Sequence, residues 1–469
     1  MPFEQKGLTM NREDLIRQLA ATVGQENVLT SETDRAVYGY DGSLHSAYPE
    51  VVVLPKSTEQ VSAILSLASR EGIPIVARGS GTNLSGGSIP LKGGIVIHFS
   101  KMNRVLEIDL KNQRAVVETG VLNLDLQNAL SPYGYYYAPD PASQKVSTLG
   151  GNLAENAGGP HCLKYGVTTN HVLGAEIVLS DGEIMWIGGK AADAPGYDLL
   201  GVLAGSEGTL GIATKIIVRI MKRPETVQTF LAIFNALEDA GDAVSAIIGA
   251  GIIPATLEMM DRTVIKAVEE SIHAGYPLDA EAVLIIELDG LKDGMDRLAG
   301  RIMEICKDHH VREVKRAGSE AEQARLWEGR KGALGALARL RPNYLLEDGT
   351  VPRTEIPGVL KKIVEIGKKY RLEIGIFCHA GDGNLHPTLL FDSANEEERN
   401  RVLLAGAEIL KACVKVGGTI SGEHGIGVEK LHEMALLFSE RELGSMRRLK
   451  EAFDPRDVLN PGKLIPDHG

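Results

Sequence analysis

Three segments rich in glycine and small hydroxyl residues constrain this chain more than any other feature. The first, residues 78–87 (RGSGTNLSGG), directly follows an apolar run, and the other two are residues 149–159 and 205–212. Glycine lets backbone approach a large ligand closely, and successive N–H groups in such a loop can point at one anion. The first loop alone would equally fit a surface turn. Together, the three segments predict a site for a large phosphate-bearing ligand.

The first loop lacks the spacing of the two most familiar nucleotide-binding turns. Gly79 and Gly81 fit the start of a G-x-G-x-x-G turn, but Leu84 stands where the third glycine is needed. The following SGGSIPLKGG is also incompatible with a helix. No G-K-[ST] sequence is present, which excludes a P-loop. The ligand site is therefore predicted to be of another kind.

A second constellation of residues suggests a metal site. His379 and His386 are separated by AGDGNL, whose glycines predict an irregular loop rather than a helix or a regular strand. Glu423 and His424 occur in another glycine-rich segment, SGEHGIG. A lone histidine is usually structural and a lone glutamate is usually solvated. Two imidazoles and a carboxylate in such settings nevertheless suit a divalent Zn, Fe or Mn ion with open positions.

Length and element pattern predict more than one domain. A chain of 469 residues is too long for a single hydrophobic core. After Pro224, strand-like segments alternate with helical ones, which favours an α+β domain with its helices on one face. We expect four parts: an N-terminal helical segment (1–45), a cofactor domain (46–224), a substrate or cap domain (225–420) and a C-terminal segment (421–469). The last segment is expected to pack on the cofactor domain and to close the active site.

Composition limits the partners and the compartment. The net charge of -12 argues against nucleic acid and against adsorption to anionic lipid. No apolar run reaches the roughly 20 residues that span a bilayer, and the N-terminal MPFEQKGLTMNRED does not resemble a signal or transit peptide. The four cysteines are scattered, which fits a reducing cytoplasm and excludes a four-cysteine iron–sulfur cluster within the chain.

In their order along the chain, the glycine segments and the PDPAS stretch resemble the FAD-binding vanillyl-alcohol oxidase and p-cresol methylhydroxylase superfamily, over roughly residues 45–222. The resemblance implies an α+β fold: a two-part FAD-binding domain, an α+β ferredoxin-like cap domain and a C-terminal helical segment. No histidine lies between Arg78 and Pro90, so non-covalent FAD is expected. The residues implied to bind FAD are Arg78, Gly79, Ser80, Gly81, Thr82, Asn83, Leu84, Pro139, Asp140, Ser143, Thr148, Gly150, Gly151, Asn152, Ala157, Gly158, Gly159, Glu207, Gly208, Gly211 and Ile212.

With the second domain included, nearly the whole chain resembles the branch of glycolate oxidase catalytic subunits, D-lactate dehydrogenases and D-2-hydroxyglutarate dehydrogenases. This resemblance implies metal ligation by His379, His386 and Glu423, and a base at His424. It also implies that Arg330, in the W-x-G-R sequence, pairs with a substrate carboxylate, although an arginine by itself fits an exposed helix position equally well.

The implied reaction is the FAD-dependent oxidation of a small 2-hydroxy acid, glycolate or D-lactate, to the 2-oxo acid. The alternatives are D-2-hydroxyglutarate as substrate, a non-redox FAD-containing transferase of the same fold, a flavin-free metal hydrolase and a non-catalytic assembly subunit. Thr388 and residues 344–350 are candidates for contacting the substrate's tail. The electron acceptor stays open: oxygen, a quinone, a cytochrome, or an iron–sulfur or other electron-transfer partner subunit would each serve. The expected location is the cytoplasm, or the periphery of the inner membrane through such a partner.

Overall fold

The computed structural model describes residues 10–191 and 195–467. The start of the predicted N-terminal segment, residues 1–9, lies outside the described residues. The chain divides into two compact units. The first unit contains Met1–Ala157, Val167–Lys222 and Glu423–Gly469, and the second contains Gly158–Gly166 and Arg223–Gly422. The functional domain limits given above stay predictions.

The bounds of the regular elements are as follows. The strands are β1 (Val28–Leu29), β2 (Val51–Val53), β3 (Ile75–Arg78), β4 (Ile95–His98), β5 (Val105–Asp109), β6 (Arg114–Glu118), β7 (Tyr135–Tyr136), β8 (Val172–Val178), β9 (Ile184–Gly188), β10 (Ile212–Arg219), β11 (Met221–Lys222), β12 (Thr226–Phe234), β13 (Thr256–Asp261), β14 (Ala282–Gly290), β15 (Glu313–Arg316), β16 (Asn343–Leu346), β17 (Gly349–Thr350), β18 (Glu373–His379) and β19 (Asn384–Phe391). The helices are α1 (Arg12–Val23), α2 (Glu32–Val37), α3 (Thr58–Glu71), α4 (Asn123–Leu130), α5 (Leu149–Glu155), α6 (Cys162–Tyr165), α7 (Leu199–Leu203), α8 (Leu237–Gly249), α9 (Arg262–Ser271), α10 (Met295–Asp308), α11 (Glu320–Lys331), α12 (Ala333–Leu337), α13 (Ile356–Tyr370), α14 (Glu396–Lys415), α15 (Met434–Leu437) and α16 (Glu440–Phe453).

The first unit contains a small sheet of order β1-β2-β4-β3 and an antiparallel sheet of order β5-β6-β10-β8-β9. In the small sheet β2 and β3 both run parallel to β4, with α3 as the crossover between β2 and β3. Ser57 caps α3 by accepting from the Gln60 N–H, and Gly72 ends the helix in the left-handed conformation. The first glycine loop therefore leaves the carboxyl end of a parallel strand, where α/β sheets commonly bind ligands.

The glycine-rich stretch of residues 139–166 includes two helices, α5 in the first unit and α6 in the second. Thr148 caps α5 by accepting from the Gly151 N–H, so the paired glycines continue a helix that a good N-cap begins. In the antiparallel sheet of the first unit, β5 pairs with β6 through an irregular register.

The second unit contains an antiparallel sheet of order β15-β12-β14-β13-β18-β19-β16, with β17 added beside β19. Helices α8–α10 and α12–α14 correspond to the amphipathic segments recognised in the sequence, because their apolar positions recur at helical spacing. The prediction of an α+β fold is confirmed. None of the described helices is both long enough and apolar enough to cross a membrane.

The segment between the two histidines is a β-hairpin, so the expectation of an irregular loop was wrong. Strand β18 ends at His379, a tight turn follows, and β19 begins at Asn384. Gly383, with a φ of +86°, supplies the left-handed conformation that the turn requires. The glycines therefore indicated a turn, while the flanking residues pair in regular register, with Phe377 opposite His386.

Candidate functional site

A cleft opens in the first unit, at the end of β3 and beside the start of α5. All three glycine segments contribute to its wall. Eight residues predicted to bind FAD line it: Arg78, Gly79, Thr148, Gly150, Gly151, Gly208, Gly211 and Ile212.

The glycines of the cleft serve two different purposes. A Cβ atom at Gly150 would lie 1.7 Å from Thr119 Oγ1, and one at Gly79 would lie 2.3 Å from Thr148 Oγ1. Those two glycines are needed for packing within the protein. A Cβ at Gly211 would make ordinary van der Waals contacts, none closer than 3.5 Å, so that position tolerates a methyl group within the protein. Gly208 also has room for a Cβ, but its φ of +70° favours glycine.

Arg78 places a buried positive charge at the cleft. The residue is 6% exposed, and its Nη1 donates to Ser88 Oγ at 3.0 Å. Burial lowers the pKa of this guanidinium below its usual value, while the nearby Asp41 opposes that shift. An arginine remains protonated in either case, and it suits a phosphate group. The amide nitrogen of Asn152, also buried, has no hydrogen-bond partner among the described residues.

The remaining predicted cofactor residues are not part of the wall of this cleft, as far as the described residues show. Asn83 instead donates to Asp41 at 2.7 Å, and Ser80 donates to the Val146 carbonyl. Gly158 and Gly159 belong to the second unit. The others in the first unit are Gly81, Thr82, Leu84, Pro139, Asp140, Ser143, Asn152, Ala157 and Glu207. Their roles at the cofactor stay predictions.

Glu207 has structural partners of its own. Its two carboxylate oxygens accept from the backbone N–H groups of Ile426 at 2.7 Å and Gly427 at 2.8 Å. These two residues follow Glu423 and His424, whose side chains approach to 3.9 Å of each other. Glu207 thus fixes the backbone just beyond the predicted ligand and base.

In the second unit, His379, His386 and Arg330 belong to one connected group. The rings of His379 and His386 are perpendicular, with centroids 5.0 Å apart. Arg330 is 4% exposed, so the alternative of an exposed helix residue is wrong. Its Nη2 lies 2.5 Å from Glu258 Oε2, and its guanidinium carbon lies 4.9 Å from the centroid of the Phe377 ring.

Asp348 is an acidic group that the sequence reasoning included only within a broad segment. It is fully buried, and its Oδ1 lies 3.7 Å from His386 Nδ1. Its Oδ2 accepts from the Ser421 hydroxyl at 2.6 Å and from the Gly422 N–H at 2.9 Å. Gly422 is followed in the chain by Glu423 and His424.

Glu258 is the functional candidate that sequence reasoning missed, and Asp348 was named only as part of residues 344–350. Both lie in or beside strands that were recognised, ATLEMMD and NYLLEDG. A carboxylate inside an apolar strand was the available signal, because buried charges are rare unless they are paired. The proposed tail contact Thr388 is fully buried and donates to the His386 carbonyl at 3.4 Å.

Comparison with known proteins agrees with this arrangement. The FAD binding domain family matches residues 49–188, and the family described as FAD linked oxidases, C-terminal domain, matches residues 223–464. These two family matches define the class of the protein, a flavoprotein oxidoreductase. The chain belongs to the FAD-linked oxidases, with an FAD-binding domain of the p-cresol methylhydroxylase type.

Several curated relatives are similar over almost the entire chain. The glycolate oxidase subunit GlcD of Escherichia coli K12 is 44% identical and that of Bacillus subtilis is 46% identical, each over 97% of this chain and over 92% and 97% of the relative. A D-lactate dehydrogenase of Archaeoglobus fulgidus is 35% identical over 88% of this chain and 91% of its own length.

Solved structures show the same fold at low identity. A p-cresol methylhydroxylase with bound substrate superposes with a TM-score of 0.83 at 19% identity, covering 98% of both chains. The 4-ethylphenol oxidase of Gulosibacter chungangensis gives 0.80 at 22% identity, covering 99% of both. These neighbours support the architecture alone.

Proposed function

We propose that this FAD-linked 2-hydroxy-acid oxidoreductase oxidises glycolate or D-lactate to the corresponding 2-oxo acid, with non-covalently bound FAD and a divalent metal ion. The identity of 44–46% to glycolate oxidase subunits over nearly the full chain supports the substrate class. The structural observation that carries the proposal is the buried group of Arg330, His379 and His386, because a 2-hydroxy acid needs a cation for its carboxylate and groups for its hydroxyl.

The cofactor part of the proposal rests on the first unit. FAD, when bound, would accept the hydride from the substrate's α-carbon. Arg78 would pair with its pyrophosphate, and the cleft beside Gly208 and Gly211 would hold the flavin. The residues supply orientation and charge, which are the contributions that a protein makes to flavin chemistry.

The metal would be held by His379, His386 and Glu423. Two imidazoles and a carboxylate are a donor set that suits a divalent ion. A divalent ion in such a site stabilises negative charge on a substrate oxygen. The choice among Zn, Fe and Mn stays open, because all three accept nitrogen and oxygen ligands.

The protein's own groups would perform the acid–base work. Loss of hydride from the α-carbon creates positive character there unless the hydroxyl proton also leaves. We assign this proton to His424 as general base, since imidazole is the most common base in enzymes near neutral pH. Arg330 would hold the substrate carboxylate, for which a guanidinium offers two parallel hydrogen bonds. Thr388 and residues 344–350 are proposed to select the substrate's tail.

The electrons must leave the reduced flavin, and we propose that an iron–sulfur or other electron-transfer partner subunit takes them. None of the four cysteines forms a disulfide in the described structure. The related GlcD proteins are named as subunits. Cytoplasmic location, with attachment to a membrane only through such a partner, stays a prediction.

Anaerobic titration of the purified protein tests the proposal. We expect glycolate or D-lactate to bleach the visible flavin absorption, whereas L-lactate should leave it largely unchanged. Bleaching by D-2-hydroxyglutarate in place of glycolate or D-lactate would identify D-2-hydroxyglutarate as the substrate. A yellow protein that none of these acids bleaches would point to a non-redox FAD enzyme, and a protein that takes up no FAD would refute the assignment.

A further inference from the structure

Glu258 joins two residues that the proposed reaction uses for different tasks. It lies in β13, and its oxygens lie 2.8 and 2.9 Å from His379 Nδ1, at the end of β18. The same carboxylate pairs with Arg330 of α11 at 2.5 Å. One acidic group therefore connects a proposed metal ligand to the proposed substrate-binding arginine.

Burial makes this connection rigid. Glu258 is fully buried, Arg330 is 4% exposed and His379 is 8% exposed. An ionised group in such surroundings needs a partner, and removing one partner leaves a costly buried charge. If Arg330 turned away from Glu258 it would lose its ion pair, and if His379 did so it would lose its hydrogen bonds, neither of which water readily replaces in the buried site. The Phe377 ring, which faces the Arg330 guanidinium, further restricts the movement of the Arg330 side chain.

The bond to Nδ1 also determines how His379 can act. A carboxylate that accepts from Nδ1–H fixes the ring's tautomer and orientation and presents Nε2 as the ligand nitrogen. Such carboxylates increase the basicity of a ligating histidine. Because the same carboxylate anchors Arg330, the position of the ligand nitrogen and that of the guanidinium are set together.

We propose that Glu258 is a positioning residue that orients His379 toward the metal and Arg330 toward the substrate carboxylate. This inference rests on the proposed function. It assigns Glu258 no contact with substrate, and its effect is exerted through the two residues it binds.

Glu287 provides a matched control. It is a buried glutamate on the adjacent strand β14, 5% exposed, and it likewise serves as the acceptor for several donors. Its partners are Trp327 Nε1 at 2.7 Å, Thr229 Oγ1 at 3.0 Å, and Gln323 and His161 at 3.2 Å. None of these four is a proposed metal ligand or substrate-binding residue. Glu287→Gln thus disturbs a similar buried hub that does not contact His379 or Arg330 directly. Because Gln323 and Trp327 share α11 with Arg330, this control is read on metal affinity and the Co²⁺ spectrum rather than on KM.

The test compares Glu258→Gln with Glu287→Gln in the full-length flavoprotein. Affinity for Zn²⁺ and Co²⁺ is measured by competition with a chromophoric chelator, and bound Co²⁺ is followed by its visible spectrum. We expect Glu258→Gln to weaken metal binding by about 10- to 100-fold and to change the Co²⁺ spectrum. It should also raise KM for the oxidised acid more than it lowers kcat. Glu287→Gln should leave metal affinity and the Co²⁺ spectrum unchanged.

Glu258→Asp replaces Glu258→Gln in this test if the glutamine variant does not fold. It keeps the charge, but its shorter side chain cannot reach both partners, so metal affinity and KM should change in the same directions. One outcome is that the wild-type protein binds metal and oxidises the acid while the Glu258 variants show unchanged metal affinity, Co²⁺ spectrum and KM. That result would overturn this inference and leave the proposed function standing. A wild-type protein that binds neither Zn²⁺ nor Co²⁺ would overturn the proposed metal site and this inference together.

Discussion

The carboxylate of Glu207 accepts a hydrogen bond from the backbone N–H of Ile426, more than 200 residues later in the chain, at 2.7 Å. A second bond from Gly427, at 2.8 Å, completes the pair. Burial raises the pKa of Glu207 above its usual value, and these two N–H groups oppose that shift. The contact shows that a residue expected to bind the cofactor also fixes the backbone beyond Glu423 and His424.

This contact predicts the effect of truncating Glu207. Glu207→Ala removes both acceptors and leaves two buried N–H groups unpaired, so we expect a loss of about 2 to 4 kcal/mol in the free energy of unfolding. Glu207→Gln keeps one carbonyl acceptor and should lose roughly half as much. Chemical denaturation of the two variants measures the difference. Unchanged stability of the alanine variant, together with loss of FAD, would show that Glu207 acts mainly at the cofactor.

Lys463 also helps to fix the C-terminal segment. Lys463 is buried and donates to the carbonyl of Gly87 at 2.8 Å and to Asn460 Oδ1 at 2.7 Å. Asn460 in turn donates to the carbonyls of Gly87 and Glu207. The C-terminal tail is thereby bound to the first glycine loop. The sequence placed this tail on the cofactor domain, but no local pattern indicated which residues form the bonds.

Sequence patterns predicted what depends on neighbours along the chain and missed what depends on distant partners. The apolar periodicity of α8, α9, α10 and α13 was sufficient for those helices, since each buries one face. The hairpin between His379 and His386 was missed because glycine in a turn and glycine in an irregular loop look alike in a sequence. Glu258 was missed because its importance comes from two partners that are distant in the chain. Contacts between residues that are far apart in the chain produce no regular spacing in the sequence by which they could be recognised.

The two kinds of glycine in the cleft predict opposite effects of a single methyl group. Gly211→Ala places its Cβ no closer than 3.5 Å to any neighbour, so the apoprotein should keep its melting temperature while affinity for FAD falls several-fold. Gly150→Ala would bring its Cβ to 1.7 Å from Thr119 Oγ1, and we expect it to destabilise the apoprotein itself. Thermal unfolding and FAD titration of both variants check this. Equal melting temperatures for the two apoproteins would contradict the assignment.

His98 predicts a pH dependence of stability. It pairs with Arg78 in the parallel register of β3 and β4, and burial, followed by the charge of Arg78, lowers the pKa of His98 from 6.5 to about 4. Between these values the unfolded chain binds more protons than the folded one. The free energy of unfolding should therefore fall as the pH drops from 6.5 to 4.

The variant His98→Gln isolates this effect from other titrating groups. We expect the wild-type protein to lose about 1 to 2 kcal/mol more than the variant over that interval, since His98 retains some solvent contact. Denaturant unfolding at pH 7 and at pH 4.5 measures the difference. His432→Gln, at an exposed position, is the control and should follow the wild-type curve. Parallel curves for the wild-type protein and His98→Gln would mean that His98 protonates equally readily when folded.

Removal of the proposed metal should separate turnover from flavin binding. The residues of the cleft proposed to bind FAD include none of the proposed metal ligands. A strong chelator should therefore abolish hydroxy-acid oxidation while the protein stays yellow. Readdition of Zn²⁺, Mn²⁺ or Fe²⁺ should restore activity, and the most effective ion identifies the metal. Mg²⁺ is the control, since it prefers oxygen ligands and should restore little of the activity of a site with two imidazoles. If the chelated protein keeps full turnover with no residual metal by elemental analysis, His379 and His386 have a role other than ligation, and His424 and Arg330 must support the reaction without an ion.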